Sequence, residues 1–307
     1  MNIIFSMDID MSVKPFVKWA GGKYKLFEQI RDKLPVELNK GEIKCYYEPF
    51  LGGGAMFFKL VQQYKFDSIF LSDLNEELVL TYKVVQQNVF DLLDYLSQYK
   101  RKYDKLSDKD KEAYYYEMRT SYNMQRFNVN FNKYSDFYIP RAAQMIFLNK
   151  TCYNGLFRQN LKGEFNVPFG KNFNVQIVDA NNLINISTIL QNTELRCTDF
   201  SSSFGNLEKD SFVYFDPPYS PVSKTSNFTS YCKDSFYYKD QLRLSNLFRK
   251  LDKSGAKLML SNSYVENNDI MSELYDGFCF SYIYSQKTMP SIVSKRGKVK
   301  ELLITNY

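Results

Sequence analysis

The sequence predicts an α/β fold, a doubly wound sheet carrying a long, mainly helical insertion, and three observations predict it. First, an alternating segment over 43–48 leads into Pro49-Phe50-Leu51-Gly52-Gly53-Gly54, a helical pattern over 55–64, a second strand over 68–71 and the acidic Asp73. Strand, glycine turn, helix, strand and acid in that order open a nucleotide-binding sheet. Second, some 140 residues separate Asp73 from Asp216, whereas two further strand–helix steps need only about 50–60. Third, short apolar runs resume after that gap, which marks the middle of the chain as an insertion.

Element by element, residues 1–13 read as a loose lead-in. The segment from Pro15 to Lys23 ends in the Gly21-Gly22 turn, and an amphipathic helix is expected over 23–34, closed by Pro35. Within the insertion, helices are expected over 78–87, 90–100, 109–122 and 141–147. Glycine and asparagine then punctuate 153–170, which predicts a hairpin or long loop. Strands are expected again over 195–198, 211–215, 257–260, 278–281 and 301–305. The resulting organisation is a catalytic unit built from 14–75 and 181–307, with an inserted domain over 76–180.

Composition sets limits. Of 307 residues, 44% are hydrophobic and 24% charged, as in ordinary globular proteins. Lys+Arg number 40 against 34 Asp+Glu, a net +6 that by itself points only weakly to polyanions. Histidine is absent from the sequence, which excludes Ser-His-Asp and Cys-His nucleophile systems, HExxH zinc sites and zinc deaminases with a histidine ligand. No metal is expected. The five cysteines (Cys45, Cys152, Cys197, Cys232 and Cys279) are scattered without a C-x-x-C pair; a reducing, cytoplasmic setting follows as the expectation. Neither a signal peptide nor an apolar run of about 18 residues is visible, so no membrane association is expected. Aromatic residues make up 17% of the chain, enough to leave some for stacking on bases.

Asp216-Pro217-Pro218-Tyr219 carries the chemistry. An apolar strand over 212–215 runs straight into it, and the prolines hold an extended turn. The Asp216 carboxylate and the Pro217 carbonyl then stand as two acceptors at the sheet's carboxyl edge, with the Tyr219 ring beside them. Two acceptors and a stacking face suit a planar aromatic amine. Its lone pair is delocalised into the ring; accepting both N–H bonds favours a pyramidal nitrogen able to attack a methyl group in line, with no histidine required. The glycine turn suits close backbone approach to a nucleoside, with Asp73 accepting from ribose hydroxyls, although Asp73 also fits a helix N-cap and Trp19 also fits a core position.

Taken together, Pro15-Phe16-Val17-Lys18-Trp19-Ala20-Gly21-Gly22-Lys23, Glu48-Pro49-Phe50-Leu51-Gly52-Gly53-Gly54, Ser72-Asp73-Leu74-Asn75 and Asp216-Pro217-Pro218-Tyr219 resemble the DNA adenine methyltransferase (Dam) family. The similarity extends to Tyr153-Asn154-Gly155-Leu156-Phe157-Arg158, to Gly163-Glu164-Phe165-Asn166-Val167-Pro168-Phe169-Gly170, to Asn227-Phe228-Thr229 and to Arg296-Gly297-Lys298. It covers nearly the whole chain from Pro15 and is weakest around 84–140.

The resemblance implies a Rossmann-like methyltransferase sheet with a target-recognition insertion, and transfer of methyl from S-adenosylmethionine to N6 of an adenine flipped out of duplex DNA. It implies that Trp19, Ala20, Gly21, Lys23, Phe50, Gly52, Gly54, Asp73 and Asp216 bind the cofactor, and that Asp216, Pro217 and Tyr219 act on the amine. It further implies a GATC target. Lys18 would read the first guanine and Arg158 the guanine after A-T, while Leu156 and Pro168 touch the thymine methyl. Tyr153, with Asn154 beside it, would wedge into the gap left by the adenine. Lys171 stands where arginine is often found and, lacking the planar fork, reads as a phosphate contact. Asn227 belongs to a loop over the flipped base, and Arg296 to a basic run that suits either phosphates or a solvated loop. A monomer or weak dimer is expected, with or without a partner restriction endonuclease. The same fold could instead methylate cytosine N4 or an RNA adenine, or serve as a catalytically silent nucleic-acid-binding subunit; the acidic Asp216 favours adenine.

Overall fold

The computed structural model describes residues 12–205, 207–218, 236–264, 270–286 and 298–307. Within these, seven strands build one sheet: β1 (Cys45–Glu48), β2 (Ser68–Asp73), β3 (Thr193–Cys197), β4 (Ser211–Phe215), β5 (Lys257–Ser263), β6 (Cys279–Gln286) and β7 (Lys298–Thr305). Their order is β3-β2-β1-β4-β5-β7-β6. Neighbours from β3 through β5 pair in parallel, and β7 runs antiparallel between β5 and β6. The doubly wound α/β architecture expected from the sequence is present, together with an antiparallel strand that the short apolar runs did not announce.

β4 shows why a central parallel strand reads as a continuous apolar run, since it is covered on both faces. Phe212, Val213, Tyr214 and Phe215 are all fully buried. Each such side chain is worth about 1.5–3 kcal/mol on burial, so the strand's end, and Asp216 directly after it, has a fixed place. Strand order reverses between β1 and β4, which puts a crevice at their carboxyl ends.

The helix expected over 23–34 is shorter and divided. A 3-10 turn, Tyr24–Leu26, passes into α1 (Phe27–Arg31), and Pro35 in extended geometry starts the short α2 (Val36–Asn39) rather than ending the segment. Gly54, at φ 70°, turns the chain into α3 (Ala55–Val61). Residues 76–151 supply α4 (Glu76–Gln87), α5 (Val89–Asp104), α6 (Asp108–Gln125) and α7 (Ile139–Thr151). α7 is buried on almost every side and packs against α4, α5 and α6. After it, the bridge pairs Cys152 with Phe169 and Gln159 with Phe165 fold 152–169 back on itself, as the glycine and asparagine pattern suggested. α8 (Ala180–Leu190), α9 (Tyr238–Asp252) and α10 (Ile270–Leu274) complete the described helices.

Two cores sandwich the sheet. On one face a single cluster runs from Phe57 and Ile69 through Tyr82 to Tyr115 and Phe147, so sheet and inserted helices share apolar contact. On the other, Val213, Phe215, Leu258 and Leu260 pack with Leu244 and Phe248 of α9 and Ile270 of α10. A buried charge cluster ties α4 to α7 and to the end of α6. Glu77 is 2% exposed and accepts from Arg126 Nη1 at 2.9 Å and from Arg141 Nε at 2.9 Å and Nη2 at 2.5 Å. No described helix is long and apolar enough to cross a membrane.

Candidate active site

A cavity of about 570 Å³ opens at the carboxyl ends of β1 and β4, where strand order reverses. Asp216, Pro217 and Pro218, the glycine bend over 52–53 and the segment from Trp19 to Lys23 all line it. Its size lies within the roughly 300–1,000 Å³ of small-molecule sites.

Asp216 is held along one oxygen. Its Oδ1 accepts the Ser261 hydroxyl at 2.8 Å and pairs with Lys23 Nζ at 3.0 Å. Lys23, only 2% exposed, also donates to the Gly21 carbonyl at 2.7 Å and lies 3.6 Å from Glu301. Burial pushes the Asp216 carboxyl above its usual range, and the Lys23 and Ser261 contacts oppose that rise. Glu48, at the tip of β1, is raised well above the ordinary carboxylate range by burial, with the nearby Asp216 and Asp73 adding to it; the Tyr46 hydroxyl, donating at 2.6 Å, opposes.

The glycine bend leaves no room for side chains. A Cβ on Gly52 would lie 2.8 Å from Trp19 Cδ1, and one on Gly54 2.7 Å from the Tyr82 hydroxyl. Asp73 locks the bend: its Oδ2 accepts from the Gly52 N–H at 2.8 Å and its Oδ1 from the Asn75 N–H at 2.9 Å. The N-cap of α4 is Asn75, whose side chain accepts from Leu78. Asp73 therefore lies beside the cavity and is not the helix cap.

The far wall is aromatic. Phe50, Phe200 and Phe236 pack with ring centroids 5.3–5.9 Å apart, and Arg243 lies over Phe200 while pairing with Asp199 at 2.6 Å. On the opposite side Trp19 stacks on Phe157, centroids 5.2 Å apart and 20° between planes. Phe157 sits between Leu156 and Arg158 in the exposed loop after α7, so that loop borders the cavity directly.

Asn149 joins this loop to the N-terminal segment. Its side chain accepts from the Lys18 N–H at 2.8 Å and donates to the Lys18 carbonyl at 2.9 Å and the Gly155 carbonyl at 3.0 Å. A Cβ on Gly155 would lie 2.2 Å from Lys18 Cδ, so lysine and loop lie in direct contact. Tyr153 (53% exposed), Asn154 and Leu156 project from the same loop, and Asn154 takes a left-handed φ of 56°. The exposed Arg158 is aimed by Asn166, whose Oδ1 accepts from its Nε at 2.8 Å. Pro168 is exposed, and its carbonyl accepts from the Tyr153 N–H at 2.9 Å. Lys171, exposed at φ 51°, leaves the base of the fold-back.

A carboxylate at a strand tip, a nucleoside-sized aromatic cavity and an exposed polar loop beside it describe an enzyme acting on a base. The family model of D12 class N6 adenine-specific DNA methyltransferases matches residues 19–291. The chain belongs to that family. Relatives of this D12 methyltransferase include a Type II methyltransferase, M.MjaIII, of Methanocaldococcus jannaschii, 48% identical over 97% of this chain and all of the relative. Another is the Type II methyltransferase M1.LlaDCHI of Lactococcus lactis subsp. cremoris, 36% identical over the full chain and 99% of the relative. The DNA adenine methylase of Escherichia coli K12 is 32% identical over 94% of both chains.

The D12 methyltransferase thus gathers Trp19, Ala20, Gly21, Lys23, Phe50, Gly52, Asp73, Asp216 and Pro217 around one cavity; Gly54 is not among the residues that line it and packs instead against Tyr82 and Phe58. Lys18, Tyr153, Asn154, Leu156, Arg158 and Pro168 are all exposed, with Lys18 against Gly155 and the Pro168 carbonyl bonded to the Tyr153 N–H. Tyr219, Asn227 and Arg296 lie outside the described residues. Sequence reasoning missed Phe157, Asp199, Phe200, Phe236, Arg243 and Ser261. Phe157 alone had a signal, its place between Leu156 and Arg158; Asp199 and Phe200 come from the turn after β3, Phe236 from just before α9, Arg243 from α9 and Ser261 from β5, and they meet only in the folded chain. Among the described residues, no cluster of three or more His, Cys, Asp or Glu could hold a metal ion.

Proposed function

We propose that this D12 methyltransferase transfers a methyl group from S-adenosylmethionine to N6 of an adenine flipped out of duplex DNA, within GATC. The observation that carries the reading is Asp216 at the tip of β4, tethered along one carboxylate oxygen and lining the same cavity as the glycine bend.

The residues present fit the donor. The bend at Gly52 admits close approach because no Cβ is tolerated there, and Asp73 lies at the position that takes ribose hydroxyls in sheets of this type. Phe50, Phe200 and Phe236 offer a slot for a planar base. The Asp216 carboxylate and the Trp19 ring suit a cation. When bound, S-adenosylmethionine would supply the electrophilic methyl carbon, its C–S bond breaking to leave the neutral thioether S-adenosylhomocysteine as the amine nitrogen gains the methyl and gives up a proton.

The chain's own part is binding and orientation. Lys23 and Ser261 oppose the rise that burial imposes on the Asp216 carboxyl and both engage Oδ1, leaving Oδ2 to accept an N–H of the target amine. With the Pro217 carbonyl taking the second N–H, electron density on the amine nitrogen is freed for in-line attack, and the acceptors stabilise the positive charge that develops. Tyr219 stacks on the flipped adenine, at an unpairing cost of a few kcal/mol.

Residues 76–180 form the target-recognition segment in this reading. Lys18 and Arg158 read guanines, Leu156 and Pro168 contact the thymine methyl, Tyr153 and Asn154 fill the gap left by the adenine, and Lys171, Asn227 and Arg296 bind the backbone or close over the base. The names of two relatives as Type II methyltransferases support pairing with a restriction endonuclease. The test is incubation with labelled S-adenosylmethionine and duplexes that contain or lack GATC, followed by mapping of the labelled base. Label on adenine N6 in GATC, abolished by Asp216→Ala while the DNA remains bound, is the expected result; label elsewhere overturns the assignment.

A further inference from the structure

Asp216 Oδ1 receives two donors of different character. Lys23 is a point charge shared with the Gly21 carbonyl and Glu301, so it neutralises the carboxylate without fixing its rotation. Ser261 makes a single directional bond at 2.8 Å. An ionised carboxylate has no proton to give, so the Ser261 hydroxyl must be the donor. Its oxygen in turn accepts from the Tyr214 hydroxyl at 3.2 Å. The chain of donors therefore has one direction, from Tyr214 through Ser261 to Asp216. Ser261 lies two residues beyond Met259, the β5 partner of Tyr214 in register, so serine and tyrosine share one face of the sheet. Both are fully buried, and no protein donor to Asp216 Oδ2 is present among the described residues.

We propose that Ser261, oriented by Tyr214, is a positioning residue for methyl transfer: its bond to Oδ1 fixes the rotation of Asp216 and keeps Oδ2 presented to the target amine. The proposal rests on the reading of Asp216 as the amine acceptor. Without the serine hydroxyl, the carboxylate is free to turn toward Lys23 and withdraw its second oxygen from the cavity.

The groups acting on Asp216 come from several elements. Lys23 from the N-terminal segment favours its charge; Glu301 of β7, Glu48 and Tyr46 of β1 and Tyr214 of its own strand do not. Removing a hydrogen bond to the charged form favours protonation. Loss of Ser261 therefore moves the acidic limb of the rate profile to higher pH, since the carboxylate is the working form.

The experiment is single-turnover transfer from labelled S-adenosylmethionine to duplex DNA across pH. Ser261→Ala should slow transfer about tenfold or more, with cofactor and DNA affinity unchanged to about twofold and the acidic limb displaced upward. Tyr214→Phe keeps its ring and should shift rate and limb in the same direction by less. Because the two act in series, the double variant should be no slower than Ser261→Ala alone. Ser261→Thr, which retains a hydroxyl, should recover most of the rate; if its extra methyl unfolds the site, Tyr214→Phe carries the test alone. Parental rates and an unmoved acidic limb in Ser261→Ala and Tyr214→Phe would overturn the proposal, as would losses that add in the double variant. If Asp216→Ala also transferred methyl normally, the amine-acceptor reading itself would fail; an inactive Asp216→Ala beside a normal Ser261→Ala removes only the role of the serine.

Discussion

Gly52 is a residue whose smallest possible change reaches furthest. At φ 49° it holds a left-handed conformation, and an added Cβ would meet Trp19 Cδ1 at 2.8 Å. The indole has little room to retreat, because Phe157 stacks on it. Gly52→Ala should therefore cost about 1–3 kcal/mol in backbone strain and displace the ring that borders the cavity. Trp19 is the sole tryptophan in the sequence, so its fluorescence reports the cavity directly. Titration with S-adenosylmethionine should show weaker binding in the variant; an unchanged emission spectrum and affinity would contradict the packing described. Arg158→Ala makes a different expectation. Loss of a bidentate guanine contact costs about 1–3 kcal/mol of discrimination at one base position, read by methylation of duplexes substituted at each position of the target. Equal loss on every sequence would instead mark Arg158 as a phosphate contact. Such positions were legible because motif residues carry their chemistry with them. Asp73 was legible as important but ambiguous in role, and the fold decides that Asn75, two positions on, is the cap. Ser261 carried no signal, for a serine in an apolar run acquires meaning only when a neighbouring strand brings an aspartate to its hydroxyl.

Among the elements, β4 was read with its observed limits, because burial on both faces imposes an unbroken apolar run. α8 was not anticipated: its start, Ala180-Asn181-Asn182, resembles loop composition, and the cap that makes it a helix is Asp179 accepting from the Asn182 N–H. The helices α4, α6 and α7 are tied by charge as well as by apolar packing. Glu77 of α4 holds Arg141 of α7 and Arg126 just after α6, and a Cβ on Gly163 would meet Arg126 Nε at 2.6 Å. The same arginine thus props the tip of the fold-back. Glu77→Ala leaves two guanidinium groups without their shared buried partner, and breaking a buried pair in this way costs about 3–5 kcal/mol. Thermal unfolding should show a correspondingly large drop in Tm, whereas a change within the scatter of surface variants would mean the cluster is open to water.

For the whole molecule, the net charge of +6 is modest, and its arrangement matters more than its size. Lys18, Arg158 and Lys171 all stand exposed. Affinity for duplex DNA should fall linearly with log salt, with a slope of about −0.9 per phosphate neutralised. Lys171→Ala should make that slope shallower by about one unit while leaving sequence preference intact; an unaltered slope would remove Lys171 from the backbone contacts. The far wall of the cavity, from Asp199 to Arg243, was beyond sequence reading for a reason at this scale: its residues approach Phe50 only once β3, β4 and α9 are assembled.

Asn149 grips the main chain of Lys18 from both sides and the carbonyl of Gly155 as well. Two stretches more than a hundred positions apart in the chain are thereby stitched together, and in the function proposed above they form a single reading head. Grafting 76–180 alone from a cousin with another target would import half of that head and leave the other half behind. Hybrid enzymes should change their preferred site only when the strip around Lys18 travels with the graft.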